Sequence, residues 1–497
     1  MNWLLSKKDE ERLILHRYLM THHSRTFLIK DLMVAINWSR YRILQAVQQL
    51  NIDYQSMTQS KQTFITVSDA NRTITLTNLQ LISTASLKGF YLRQSLRFEL
   101  LLDVFLEDIH SNEAIAFRHS SSTTVVRMTK EAMRSELKRQ KINISENYQL
   151  IGDEQQIRTV MIELIYLAYA DQPLPFPDAT NRAIEQVQQN LMPLLTKRLT
   201  IQRILSIVFG VWYTRVQNGH YLGKVKDALL RPTKDLQDSV QELLAQMTPY
   251  LERYATDDSQ NLDNELRYGV VVCYALGIGD TSDYFENLTA KSKRRITDLF
   301  DQVGLSYRLF FNQEMSEEQH ATMTKLLIPL FIRLSYFPPQ DDNLPTDVAF
   351  QTDTYPIHAA FTKSVIQNLA QVSRYDVTHL MGMMFNPLLN AAVKLISVKD
   401  VLPVITITID LIDMPALEEY LMQMVQQWHS LNVHVTNEFT DKTDIYLSNV
   451  ILSQKVPGFA WHTIPEWSER LALRQLIIDL TLDRFENNEL LRINHDF

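Results

Sequence analysis

The stretch SSSTTVVRMTKEAMRSELKRQKINI, residues 120–144, decides the reading of this chain. Its three serines supply side-chain oxygens for the free amides of a helix start, and a long helix is expected from about Thr123 to Gln140. Arg127, Lys130, Arg134, Lys138 and Lys141 follow at intervals of 3, 4, 4 and 3 residues, which puts five cations on one stripe. Val125, Met128 and Ala132 are read as the opposite, core-facing side, flanked by Val126, Met133 and Leu137. Between Arg118 and Lys141, seven Lys and Arg stand against two acids, a local charge of +5. After the helix come Ile142-Asn143-Ile144 and Tyr148-Gln149-Leu150-Ile151 around the polar Ser145-Glu146-Asn147, a hairpin signal. A charge stripe alone reads as a solvated face. The serine cluster before it and the hairpin after it favour a winged helix-turn-helix. In that fold Ser121, Ser122, Thr123 and Thr124 reach base edges while Arg127, Lys130, Arg134 and Lys138 meet phosphates.

Upstream the same order of elements occurs. Ser6 to Asp9 reads as a capping box that opens a helix carrying Leu13, Ile14, Tyr18 and Leu19. Thr26 is read as the cap of a short second helix, with Leu28, Leu32, Ala35 and Ile36 at helical spacing. Ser39 caps a third helix, whose inner face is Ile43, Leu44, Val47 and Leu50. Phe64 to Val67 and Thr73 to Leu76 then form a wing. Arg40, Tyr41, Arg42 and Gln45 stand in the opening turns of that third helix, where Arg suits guanine, Gln suits adenine and Tyr suits phosphate. Leu96 to Leu106 and a short helix capped by Ser111 complete the second unit.

The whole chain has 497 residues, too long for one core, and roughly three to five folding units are expected. The formal charge is −8, unpromising for a DNA binder until it is divided. Residues 1–165 hold 21 Lys+Arg against 17 Asp+Glu, a net +4, and the remainder 28 against 40, a net −12. A nucleic-acid-facing end attached to acidic regulatory regions fits this asymmetry. A single cysteine, Cys273, excludes an intramolecular disulfide and a Cys-based zinc site. The opening residues show no apolar signal segment and no long apolar run follows, so a cytoplasmic protein without a membrane span is expected.

Pro173, Pro175 and Pro177 mark a linker. From about Asn181 to Leu395 helical patterns dominate, including Leu191 to Val216 and Met323 to Leu334, with a division near Gly277-Ile278-Gly279-Asp280. The last hundred residues alternate β and α patterns: Val401 to Ile409, Pro415 to Trp428, Val433 to Phe439, Asp444 to Val450 and Trp467 to Leu482. The expected fold class is a mainly α multidomain protein ending in a small α/β domain. The expected domains are winged units at 1–80 and 81–170, helical domains at 178–282 and 283–397, and an α/β domain at 398–497.

The segments Leu28-Ile29-Lys30-Asp31-Leu32 through Leu50-Asn51, Ser120 to Glu136, Ile151-Gly152-Asp153-Glu154 and Ile157-Arg158 resemble the Mga/AtxA family of Gram-positive virulence regulators. The resemblance implies two winged helix-turn-helix domains, two helical phosphotransferase-regulation domains and an enzyme-IIB-like terminus. It further implies a DNA-binding activator whose histidines take phosphate from phosphocarrier proteins of the sugar phosphotransferase system. His220, after the Gly219 turn, leads in the first helical domain and His379 in the second, with His320 and His358 behind it; each is more commonly an ordinary core or surface histidine. In the terminal domain, Asp410-Leu411-Ile412-Asp413-Met414-Pro415 occupies the loop where active relatives of enzyme IIB carry a cysteine nucleophile. Having neither thiol nor glycine, that loop is read as lacking phosphotransfer chemistry, and the domain as serving a homodimer.

An RNA-binding antiterminator with similar helical domains is the rival reading, but residues 1–60 have helical periodicity where that class has a small β-rich module. Enzyme readings find no residue supply: there is no Gly-rich phosphate loop, no HExxH pair and no Gly-x-Ser-x-Gly elbow. His22-His23 points to two sides of a helix end, and Lys291 to Arg295 reads as a solvated or helix-capping run. No catalytic residue, metal or cofactor is expected.

Overall fold

The computed structural model describes the chain except residues 1, 22–24, 69, 71, 78–81, 191–196, 224–240, 242–244, 246–247, 251–258, 279–288, 338–353, 374–375, 451–455 and 487–497. It is mainly helical, with three small sheets among the described residues. Two compact units are present: Met1–Arg294 with Phe331–Leu344, and Arg295–Leu330 with Pro345–Phe497.

The first unit opens with α1 (Lys7–Thr21), β1 (Thr26–Leu28), α2 (Ile29–Ala35), α3 (Arg40–Thr58), β2 (Ile65–Val67) and β3 (Thr73–Leu76). The capping box of α1 forms, since the Ser6 amide donates to Asp9 Oδ2 and the Asp9 amide to Ser6 Oγ, each at 3.2 Å. Thr26 does not cap α2. It begins β1, which pairs antiparallel with β3 in the order β1-β3-β2, and the cap position of α2 falls to Leu28, which has no side-chain oxygen. Thr-Phe-Leu is β-prone, and a third strand for the wing outweighs a cap. Asn37, in the left-handed region at φ 52°, turns the chain from α2 into α3.

The second winged segment is α4 (Thr84–Arg93), α5 (Leu96–Leu106), α6 (Asn112–Arg118), α7 (Thr123–Arg139), β4 (Ile142–Ile144), β5 (Leu150–Gly152) and α8 (Glu154–Tyr169). It meets the first through a buried hub. Asp53 of α3 accepts from Arg12 at 3.0 Å, Gln49 at 3.0 Å and the Tyr91 hydroxyl at 2.6 Å, and Arg12 lies over the Tyr91 ring. Helices α9 (Asp178–Asn190), α10 (Leu199–Gln217) and α11 (Ser259–Ala275) follow. One continuous apolar core runs from Leu4 and Leu50 through Phe105 and Leu164 to Trp212 and Cys273. Burial there pushes the Cys273 thiol up to about 12, so it is an inert core group.

Helices α12 (Ala290–Phe311) and α13 (Glu317–Tyr336) pass from the first unit into the second and back. Within the second unit stand α14 (Pro356–Val372), α15 (Val377–Leu395) and the short α16 (Val398–Val401). The terminal part comprises β6 (Ile405–Asp410), α17 (Pro415–Gln426), β7 (Val433–Thr436), β8 (Ile445–Ser448), β9 (Gly458–Ala460) and α18 (Trp467–Glu486). Its four strands are all parallel, in the order β7-β6-β8-β9, and β6, buried along most of its length, reads as the β-branched run ITITI. β9 is too short and too ordinary in composition to announce itself in the sequence.

Candidate nucleic-acid interface

Helix α7 starts as the serines require. Ser122 caps it by accepting from the Val125 amide at 3.2 Å, and Ser111 caps α6 through the Ala114 amide at 3.1 Å. Behind it, β4 and β5 pair antiparallel, Ile142 opposite Gly152. Gly152 has φ 143° and so close an approach to the Lys141 carbonyl that an added Cβ would lie 2.2 Å from its oxygen. Only glycine fits there. The next residue, Asp153, caps α8 by accepting from the Gln156 amide at 3.2 Å.

The buried face of α7 is Val126, Met133 and Leu137. This corrects the expected core side: Val125 is exposed, Met128 is 65% exposed, and Ala132 is exposed as well. Those apolar residues point outward because the core lies beside the cation stripe rather than opposite it. Arg127, Arg134 and Lys138 remain exposed. Arg134 pairs with Glu131 at 2.8 Å, whereas Arg127 and Lys138 have no partner among the described residues. Lys130 sits at the core edge, its Nζ 4.2 Å from the Tyr148 ring centroid. Thr123 and Thr124 are exposed, and Ser121 is half-buried with its amide on the Ala116 carbonyl at 2.8 Å. Arg118 is bound to Asp103 at 2.7 Å, and Asp103 also meets His119 Nε2 at 2.6 Å. It therefore contributes structure more than free charge.

In the first winged segment Ser39 caps α3, accepting from the Arg42 amide at 3.3 Å. Tyr41 is 75% exposed and Gln45 is exposed. Arg40 is exposed and donates to the Ala70 carbonyl of the wing at 3.0 Å. Arg42 is held by Glu11 at 2.6 Å and by the Trp38 ring, 4.3 Å from its centroid. Both arginines are thus already engaged inside the domain, a feature that spacing alone does not reveal.

The histidine candidates separate. His220 follows Gly219, which adopts φ 80° in an open turn; its side chain is 22% exposed and its Nε2 lies 2.5 Å from Glu107 Oε1. Glu107 also accepts from Gln149 at 2.9 Å and stands 3.5 Å from Arg215 Nη1. Burial pushes the Glu107 carboxyl up, but His220, Gln149 and Arg215 outweigh it and hold the group below its usual range. Arg215 forks onto Glu154 at 3.0 and 2.7 Å and donates to the Leu150 carbonyl at 3.1 Å. Fully buried Arg158 binds Glu265 at 2.6 and 3.0 Å, Glu154 at 2.9 Å and the His220 carbonyl at 3.1 Å. The Ile151-Gly152-Asp153-Glu154 and Ile157-Arg158 signature is thereby explained, as a tight turn, a helix cap and a charged joint between the winged segment and the following helices. Glu154 and Arg158 at i,i+4 were visible in the sequence; their distant partners were not. His358 is buried with Nε2 on the Ile396 carbonyl at 3.0 Å, and burial lowers its pKa, as for a structural histidine. His320 is exposed on α13. His379 lies in the first turn of α15, its side chain outside the described residues, as are His22 and His23.

In the terminal domain the loop after β6 has two of its amides taken. Leu411 donates to Glu418 at 2.9 Å and Ile412 to Asn449 at 3.0 Å.

Two capped helix-turn-helix units, each backed by an antiparallel wing, define a DNA-binding class of protein. Residues 80–165 match the family model of the Mga helix-turn-helix domain, which supports placing the chain with the Mga/AtxA regulators as a DNA-binding transcription regulator. No curated protein matches the chain. Among the described residues no helix is long and apolar enough to cross a membrane.

Proposed function

We propose that α7 and its wing are the principal double-stranded DNA contact, with α3 as a second reader, and that the chain acts as a transcriptional activator. The observation that carries this is the exposed flank of α7, where Arg127 and Lys138 have no partner among the described residues and Thr123 and Thr124 stand open at the capped end. Helix amino-terminal polar groups reach bases and flanking cations reach phosphates in such a placement. The rival RNA reading expects a small β-rich module over residues 1–60, where α1, α2 and α3 stand. The test is retention of duplex DNA from the region upstream of the gene by the full chain, with RNA as competitor and salt as variable. Steep weakening with salt and poor competition by RNA are expected. Preferential competition by RNA refutes the assignment. The full chain is preferable to a fragment ending near Tyr169, because α8 is packed into the same core as α10 and α11.

The regulatory part of the reading centres on His220. A phosphoryl group passing from the phosphohistidine of a phosphocarrier to the unprotonated ring nitrogen of His220, with the carrier's P–N bond broken and the proton of the other His220 nitrogen balancing the one the carrier imidazole takes up, would place negative charge beside Glu107. Repulsion would break the pair, and Arg215, whose Nη1 is buried without a hydrogen-bond partner, is the cation at hand for the new anion. Glu107 and the Leu150 carbonyl both belong to the winged segment, so the exchange would alter its attachment. Reporter output should differ among wild type, His220→Ala and His220→Asp across sugars. Identical output in all three makes His220 structural. The five-domain division and a homodimer through residues 398–497 complete the proposal. The exposed Ile464, just before α18, and Trp467 and Leu471 in its first turns support self-association.

A further inference from the structure

The first unit contains a cleft of about 240 Å³ bordered by α8, α10, α11 and the last turn of α13. One water needs only ~10–15 Å³ of such space, so a ligand of about ten non-hydrogen atoms fits. Its walls are mostly apolar, with Ile162 from α8, Ile207 and Val208 from α10, Val272 from α11, and Phe337. Two charged residues also border it, Arg333 and Glu163. They are not equivalent. Glu163 already has an interaction partner. Arg333 has none among the described residues and stands exposed at the mouth of the cleft. A guanidinium at the mouth of an apolar cleft is placed to receive an anion, and a carboxylate matches its fork with two parallel hydrogen bonds. Beside it, the buried Tyr268 has a hydroxyl without a hydrogen-bond partner, and its ring faces Arg158 at 5.1 Å.

We propose that this cleft binds a medium-chain or aromatic monocarboxylate, its carbon body against Ile162, Ile207, Val208 and Val272 and its carboxylate on Arg333. The volume sets the size, the walls demand carbon, and Arg333, without a partner among the described residues, sets the sign of the charge. The site is separate from the DNA-facing residues and from His220, and the proposal stands whether or not those readings do. It does share α8 with the helix-turn-helix segment, so its occupant would touch the helix that carries Arg158.

The test uses the full chain and sodium octanoate as probe, with octylamine, octanol and acetate for comparison, in titration calorimetry. Octanoate should bind saturably at one site per chain, octylamine and acetate should not, and octanol should bind more weakly. Arg333→Gln, at a side chain bordering open space, should weaken octanoate at least tenfold and leave octanol unchanged. Ala275→Phe, which fills the cleft, should abolish both. Absence of saturable octanoate binding to the wild type overturns the proposal, as does equal binding of octylamine. Octanoate affinity unchanged in Arg333→Gln overturns it equally, even if Ala275→Phe fails to fold.

Discussion

Replacing Arg158 by alanine removes the one cation that faces Glu265 among the described residues, and the consequence follows from the geometry. Both side chains are fully buried and joined by two hydrogen bonds of 2.6 and 3.0 Å. Breaking a buried ion pair from one side costs about 3–5 kcal/mol, because the remaining charge keeps its desolvation penalty and loses its attraction. Glu265 retains the Trp212 indole N–H and the Leu222 amide, each at 2.7 Å, and Glu154 retains Arg215. Those survivors place the expected loss at the lower end, about 3 kcal/mol. At ~2–4 °C per kcal/mol for a unit of this size, the melting temperature should fall by about 6–12 °C. The assay is thermal melting followed by tryptophan fluorescence. The Arg158→Met/Glu265→Gln double variant, which strands no charge, should melt above Arg158→Ala. A single variant within about 0.5 kcal/mol of wild type would refute the reasoning.

Further outcomes are expected elsewhere in the chain. Arg127→Ala and Lys138→Ala should each lower DNA affinity and reduce the salt slope by about one unit, whereas Arg42→Ala, already bound to Glu11 and Trp38, should change the slope less; equal slopes in all three would remove α7 from the interface. His16 is buried against the Tyr54 hydroxyl at 2.7 Å, and burial lowers its pKa from 6.5 to about 4. Its neutral form therefore stabilises the fold fully above pH 6.5, and up to about 3 kcal/mol is lost as pH falls towards 4. Urea midpoints of His16→Phe should fall less steeply than wild type across that window, and parallel curves would disprove the assignment. Gly152→Ala should destabilise by more than ~1 kcal/mol, since both its φ and the Lys141 carbonyl oppose a side chain; an unchanged melt would show that the turn relaxes freely. Trp467→Glu should shift sedimentation towards monomer, and an unaltered oligomeric state would remove α18 from self-association.

What the sequence disclosed followed from how local each signal is. Caps at Ser6, Ser39, Ser111 and Ser122 act on amides two or three residues away, so they could be read directly, and all four helices start where those residues stand. The wings were legible because β-prone runs flank polar turns. Thr26 was misread for the same reason: its pairing partner, Thr75, lies far along the chain, and nothing within a helical window announces it. The face of α7 failed by a related route. Five cations on a stripe define a polar side, but the position of the core around the helix is set by α5, the wing and the turn after α6, and it came to lie next to that stripe. Val125 and Met128 are consequently presented outward, beside Thr124 and Arg127. For a groove-binding helix this placement has a chemical meaning, because an apolar side chain among donors is matched by a thymine methyl group rather than by a phosphate. The same limit governs the joint around Glu107, Arg158, Arg215 and Glu265. Each is an unremarkable charged residue in the sequence, and only the fold makes them a single buried network, with His220 at its edge and the wing at its other end.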